Sequence, residues 1–384
     1  SRQETENNFI LSAGLGPGGG GKGDVSVEPG DDHRELVLDN GMQVQLIHTP
    51  GRFSANMMVA YAVGGRDEPK GESGYTHFVE HLMFQGTKNI RNWFGVIGAM
   101  GAHTNARTHR DYTVYTQTLP VNLLEAAIKL EAERMAHLEV TPEKVEREKG
   151  VILEEKAGQD NAPYAAGHRA LTRLQFSNPR NQSDVIGSEA DIRAATAEKL
   201  GRYIDTYYGP RNAKVVISGS MDIVHLEKIV RRHFGALAAR GKIVAKDLSE
   251  SEQTKERRAE VVDPYATAPA VLFNWLAPKR GAPEYPAAKL AVSMLAQRLH
   301  KRLVLEKKSA AVVEIGFPDF EGDPAAIMGS IIQGPELSVS EALAVLDEER
   351  AAIARGEFTD EEFQSLKSRY VIGSENELYD FSNN

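Results

Sequence analysis

The stretch GYTHFVEHLMFQGT, residues 74–87, sets two imidazoles and a carboxylate at fixed offsets among apolar neighbours. His77, Glu80 and His81 form the pattern H-x-x-E-H. On an α-helix, positions i and i+4 lie one above the other, so His77 and His81 point the same way and can reach one ion. Glu80, at i+3 from His77, borders that face. Hydrolysis at a zinc ion needs neutral imidazoles as ligands, an open position for water and a carboxylate to take a proton; the three residues supply two ligands and a base. A lone histidine in such surroundings is usually a core residue. Three polar groups among Phe78, Val79, Leu82 and Phe84 would be costly without partners, and a metal accounts for them better.

A third protein ligand is expected from an acid in apolar company, and PEKVEREKGVILEEK supplies the candidates. Glu148 and Glu155 are seven apart, two turns along one helical face, with Val151 and Ile152 between them. Glu155 is assigned as ligand and Glu148 as the group that orients a ligand. Glu143, Glu146 and Glu154 read as a solvated face.

The elements that must hold these residues follow from local pattern. ELVLDNGMQVQLIHT alternates around an Asn-Gly turn as a β-hairpin, and ANMMVAYAV reads as a buried strand. Gly74 to Phe84 has apolar residues at helical spacing and is closed by Gly86. HTNARTHRDYTVYTQTL reads as strands and NLLEAAIKLEAERMAHL as a helix. Thr141 and Pro142 open a further helix as N-cap and first residue. AKVVISGSM is then a strand and DIVHLEKIVRRHFGAL a helix. A similar order recurs later: PAVLFNWLAP and AAIMGSIIQG as strands, YPAAKLAVSMLAQRLHKRLVLEKK and VSEALAVLDEERAAIARG as helices.

The expected organisation is therefore α+β. Residues 1–34 form a glycine-rich tail, 35–240 the zinc-binding domain, 241–258 a polar linker, and 259–384 a second, related domain without the chemistry and cut short at its end. At 384 residues the chain is long for one core. Its 45 Lys plus Arg against 54 Asp plus Glu give a net charge of −9, with no basic block, so no nucleic-acid partner is expected. The absence of cysteine excludes disulfides, thiolate ligands and a cysteine nucleophile. No apolar run is long enough to span a bilayer. Gly16 to Lys22 fits part of a phosphate-binding loop, but Gly23 stands where Ser or Thr would hold magnesium, and no strand precedes it.

With VGGRDEPKGESGYTHFVEHLMFQGT, GAHTNARTHRDYTVY, LEAERM, EREKGVILEE and YYGPRNAKVVISG, the chain resembles the pitrilysin, insulinase and mitochondrial processing peptidase family of zinc metallopeptidases, the inverzincins. The resemblance spans roughly residues 35–380, its second half carried by stretches such as AQRLHKRLVLEKKSA. It implies two related α/β layer domains, each a mixed, mainly antiparallel sheet packed with helices, forming one half of a clam-shell metallopeptidase. It implies one Zn2+ per chain held by His77, His81 and Glu155, with Glu80 as general base and Glu148 orienting a ligand. It also implies that NARTHRDYTVY is an edge strand to which an extended peptide or unfolded segment adds, with Asn105 and Ala106 as contacts. It gives His103 and His109 no role as ligands.

The resemblance further implies a homologous second half that closes over the site and supplies an arginine and a tyrosine. Arg302 is present at the corresponding place, but no tyrosine occurs between Tyr285 and Tyr370. A partner subunit or detached half is expected to complete the site, and the ending ELYDFSNN is expected to precede a continuation or partner. The rival reading is a non-catalytic scaffold or assembly subunit of the same fold; the intact H-x-x-E-H and Glu155 favour the enzyme. A periplasmic or secreted location is expected from the missing cysteines and a leader that resembles a tether after a removed signal, with a cytoplasmic or organellar home as the alternative.

Overall fold

The computed structural model describes residues 32–318 and 322–383. The glycine run Gly16–Lys22 and most of the expected tail lie outside the described residues. Two compact units divide the chain. In the first, described over 32–155 and 183–246, the elements in chain order are β1 (His33–Val37), β2 (Gln43–His48), β3 (Ser54–Tyr61), α1 (Tyr75–Met83), α2 (Trp93–Ala99), β4 (His103–Thr108), β5 (Thr113–Pro120), α3 (Leu124–His137) and α4 (Pro142–Asp160), which runs past Glu155 into the second unit. After α5 (Ala165–Gln175), which belongs to the second unit, come α6 (Glu189–Ala194), α7 (Ala197–Tyr207), β6 (Ala213–Gly219) and α8 (Ile223–His233).

The sheet of the first unit has the order β1-β2-β6-β3-β5-β4. Only β2 and β6 run parallel; the other pairs are antiparallel. β6, more than 150 residues downstream of β3, sits between β2 and β3 in register with both, Val215 opposite Val44 on one side and Val59 on the other. One face of the sheet buries Val44, Leu46, Met57, Val59, Tyr115 and Ile217 against Phe78, Val79 and Leu82 of α1 and Ile128 of α3, the period-2 and period-3.6 stripes meeting as the sequence requires. Among the described residues β4 is an edge, paired to β5 alone.

Gly74 sets the start of the helix that carries the two histidines. Gly74 has φ +90°, and a Cβ there would lie 2.6 Å from the Ile186 carbonyl oxygen, so only glycine fits. The first N–H groups of α1 are satisfied from upstream: the Glu68 carboxylate accepts from Gly74 N at 2.8 Å and Thr76 N at 2.9 Å. The Thr76 hydroxyl lies 2.7 Å from the Tyr203 hydroxyl and ties α1 to α7. On α4, Thr141 caps through Lys144 N at 3.3 Å with Pro142 at the first helical position, as expected.

The second unit comprises 156–182 and the described residues from 247 to 383. Its strands β7 (Ala270–Leu276), β8 (Ala310–Gly316) and β9 (Ala326–Gln333) form an antiparallel sheet of order β7-β9-β8. With α9 (Tyr285–Leu299) and α10 (Val339–Ala354) they enclose a core of Leu295, Leu299, Ile331 and Leu346, while α5 packs on β7 and α11 (Asp360–Asn383) on α9. Its described sheet has three strands where the first unit has six, so the recurrence of order seen in the sequence does not extend to strand number. Arg298 bonds Glu362 at 2.7 Å, and Arg302 bonds Glu348 at 2.7 Å and Glu349 at 2.9 Å, so both arginines are engaged in ion pairs within this unit.

Residues 241–258 carry no helix or strand. Their start belongs to the first unit, where Lys246 pairs with Asp67 at 2.8 Å. Their continuation belongs to the second, where the Glu250 carboxylate accepts from Ser177 N and Oγ, Asn178 N and Asn181 Nδ2 at 2.7–3.1 Å. No described helix is long and apolar enough to cross a membrane.

Candidate metal centre

His77 and His81 stand one turn apart on α1, their rings 4.7 Å apart and steeply inclined. Glu155 on α4 meets both: its Oε2 lies 3.6 Å from His77 Nε2 and 3.5 Å from His81 Nε2. One ligand atom from each of the three residues falls within 4.8 Å of the others. Two imidazole nitrogens and a carboxylate oxygen are donors that zinc accepts, and they leave a position open for water or substrate. Burial, with His81 nearby, holds the His77 imidazole down to about 4, so it is neutral at ordinary pH, the form a metal needs.

Glu148 lies under His81, with its Oε2 3.4 Å from His81 Nδ1 and its side chain 5% exposed. Burial alone would lower the His81 pKa, but the bond to Glu148 and the charges of Glu155, Glu148 and Glu80 prevail and raise it. Burial would likewise raise Glu148, yet its bonds to His81 and Arg147 bring it below the usual carboxylate range. His77 lacks such a companion: its Nδ1 is buried without a hydrogen-bond partner among the described residues. Between the two acids the helix departs from the expected apolar face, since Ile152 is buried while Val151 is 47% exposed and the Glu155 side chain 39% exposed. The two turns from Glu148 to Glu155 pass from core to surface.

Glu80 sits beside these donors and turns toward the edge strand. The Thr108 hydroxyl donates to its Oε2, and the Thr108 backbone N–H faces the same carboxylate. Burial raises the Glu80 pKa in spite of these donors and of His81. Thr108 was not singled out in the sequence. Strand alternation could have found it, because Thr108 lies two residues past Ala106 and so on the same face of β4. That alternation also separates Asn105 from Ala106: Asn105 is exposed, whereas Ala106 packs against the core. His103 is exposed on the Asn105 face, and His109 stacks on Tyr112 with ring centres 4.4 Å apart; neither belongs to the donor cluster.

Behind β5 lies a second feature that the sequence did not disclose. Arg134 is fully buried, bonds Glu131 at 2.6 Å, and lies over the rings of Trp93 at 4.6 Å and Tyr115 at 4.7 Å. Gln117 donates to Glu131 at 2.9 Å.

Residues 43–188 match the insulinase family, peptidase family M16, and residues 194–370 match the peptidase M16 inactive domain. The chain belongs to peptidase family M16. An uncharacterized zinc protease of Mycobacterium leprae is 32% identical to this M16 chain over 209 residues, which are 54% of this chain and 47% of that protein. The chain spans about half the length of the curated relatives it matches. A protease from Helicobacter pylori shares the fold with a TM-score of 0.79 at 23% identity, over 92% of this chain and 85% of that one. The periplasmic protease PqqL of Escherichia coli, at a TM-score of 0.70 and 20% identity, is covered over 42% of its length by 94% of this chain. The α+β half of a two-half M16 protease is thus the fold of this chain, and its relatives include named zinc proteases.

Proposed function

We propose that this M16 chain is the zinc-binding half of an endopeptidase that hydrolyses peptides or unfolded segments bound as an added strand. The observation that carries the reading is the convergence of His77, His81 and Glu155 on one point, with Glu80 beside them and an open strand edge adjacent. A zinc ion bound there supplies Lewis acidity toward water and the scissile carbonyl. The chain's own residues do the rest. His77 and His81 hold neutral nitrogens toward the ion. Glu148 fixes the ring of His81. Glu80, kept protonatable by burial, takes a proton from the attacking water and delivers it to the leaving amine. The edge of β4 binds the peptide backbone by β-augmentation, with Asn105 and Ala106 at the contact.

A homologous second half completes the enzyme on this reading, which the 42% coverage of PqqL supports. It would supply a cation for the developing oxyanion that Arg302, engaged with Glu348 and Glu349, does not. A periplasmic or secreted site of action fits the periplasmic neighbour. The alternative of a scaffold subunit is disfavoured by the intact donor set.

Elemental analysis with peptide cleavage tests the reading. The wild type is expected to carry about one zinc per chain. Glu155→Gln should lose most of it, and Glu80→Gln should keep it while losing at least about 100-fold in cleavage. Unchanged zinc in Glu155→Gln, or near-normal cleavage by zinc-loaded Glu80→Gln, would overturn the assignment.

A further inference from the structure

The backbone of β4 is not uniformly free along its open edge. His109 donates its N–H to the Tyr112 carbonyl at 2.8 Å and closes the hairpin with β5. Counting back along the antiparallel ladder, Arg107, Asn105 and His103 exchange hydrogen bonds with Val114, Thr116 and Thr118. Thr104, Ala106 and Thr108 therefore turn their N–H and C=O groups to the open side. Two of those three N–H groups are already committed. Ala106 N donates to its neighbour's Asn105 Oδ1 at 2.9 Å, a bond within two residues that an incoming carbonyl can replace. Thr108 N faces the Glu80 carboxylate, and the Thr108 hydroxyl donates to the same group. The usable edge thus stops at Glu80.

We propose that Thr108 is a positioning residue: its hydroxyl and backbone N–H fix the Glu80 carboxylate at the end of the β4 edge, and so set the register in which an added peptide strand meets the base. This rests on the peptidase reading for its consequence, though not for the contact itself. A glutamate has three side-chain torsions, and a base held only at its root would sample several positions. Misplacement of a reacting group by about 1 Å costs on the order of 100-fold in rate. Thr108 removes that freedom with two donors from one residue of a paired strand. Its β-branched side chain suits the strand, and its hydroxyl reaches the acid.

The test has two arms on the zinc-loaded full chain. In the first, unfolding midpoints are measured for the wild type, Thr108→Val, Glu80→Gln and the double variant. Adding Thr108→Val to Glu80→Gln should shift the midpoint clearly less than Thr108→Val shifts the wild type, because the bond is already altered. In the second, cleavage of a quenched fluorescent peptide is followed. Thr108→Val should keep its zinc, lose about 10- to 100-fold in kcat and change KM by less than about twofold, and Thr108→Ser, which keeps the hydroxyl, should recover most of the loss. Strictly additive midpoints overturn the proposal whatever the activity does, and so does wild-type kcat in zinc-loaded Thr108→Val. Non-additive midpoints would leave Thr108 as the residue that fixes Glu80, and a wild type that cleaves no peptide either alone or with a homologous partner half would sink the peptidase reading instead.

Discussion

Replacing Glu148 isolates what a buried carboxylate does for the candidate ligand His81 that it touches. Its Oε2 is 3.4 Å from His81 Nδ1, and its other oxygen lies 3.3 Å from Arg147 Nε. Without it, His81 keeps its place on α1 but loses both the group that orients its ring and the negative charge that makes its far nitrogen a better donor. Removing such a partner typically costs about 10- to 100-fold in metal affinity, or about 1.4–2.7 kcal/mol. Glu148→Ala should fall at the upper end. Glu148→Gln, whose amide oxygen can still accept from Nδ1–H, should fall at the lower. Glu146→Gln is the control: that side chain is 70% exposed and pairs with Lys149 at 2.6 Å, and zinc affinity should not change. The sign with pH also follows. Because Glu148 and its neighbours raise the His81 pKa, protons compete harder for His81 in the wild type than in Glu148→Ala, so the deficit of the variant should narrow as pH falls from 7.5 to 5.5. Competition against a chromogenic chelator, at matched folded fraction, measures it. Wild-type affinity in Glu148→Ala at pH 7.5 would refute the reasoning.

Two further outcomes concern stability. Glu131→Gln leaves the Arg134 guanidinium buried under Trp93 and Tyr115 without its counter-charge, and should cost about 3–5 kcal/mol in urea unfolding; a loss under about 1 kcal/mol would mean that the cation is solvated. Burial would raise the Glu250 pKa, but the donors from Asn181, Ser177 and Asn178 prevail and lower it. Its stabilisation is therefore present above the unfolded carboxylate range and lost as pH falls through the lower native value. Glu250→Gln should cost about 1 kcal/mol from pH 8 to 6, with the difference from wild type shrinking in acid. A difference that grows in acid would contradict the assignment.

What the sequence disclosed was local. The hairpin turn at Asn40–Gly41, the helical stripe of α1 and the Thr141–Pro142 start of α4 each follow from residues within a turn of one another, and each lies where the pattern put it. Once H-x-x-E-H was placed on a helix, the approach of Glu155 to both histidines needed only one more helical face. The sequence did not disclose that Glu68 caps α1 from upstream, that Thr108 holds Glu80 from 28 residues away, or that Arg134 lies over the rings of Trp93 and Tyr115. These are pairings across the fold, between residue types common on any surface, and no period marks them. The exposure of Val151 was hidden for a related reason: heptad spacing places two side chains on one face but does not say where along the helix the packed neighbour ends.

The place of β6 governs how this sheet can be made. Synthesis from the N-terminus delivers β1 and β2 as one piece and β3, β5 and β4 as another, and the strand that joins them is complete only when Gly219 has emerged. Until then the facing edges of β2 and β3, with Val44, Leu46, Met57 and Val59, present unpaired backbone beside apolar side chains. The nascent chain must carry that open seam through some 150 residues of further translation, which makes the interval before β6 the one in which a holding chaperone matters most and in which slow elongation favours aggregation.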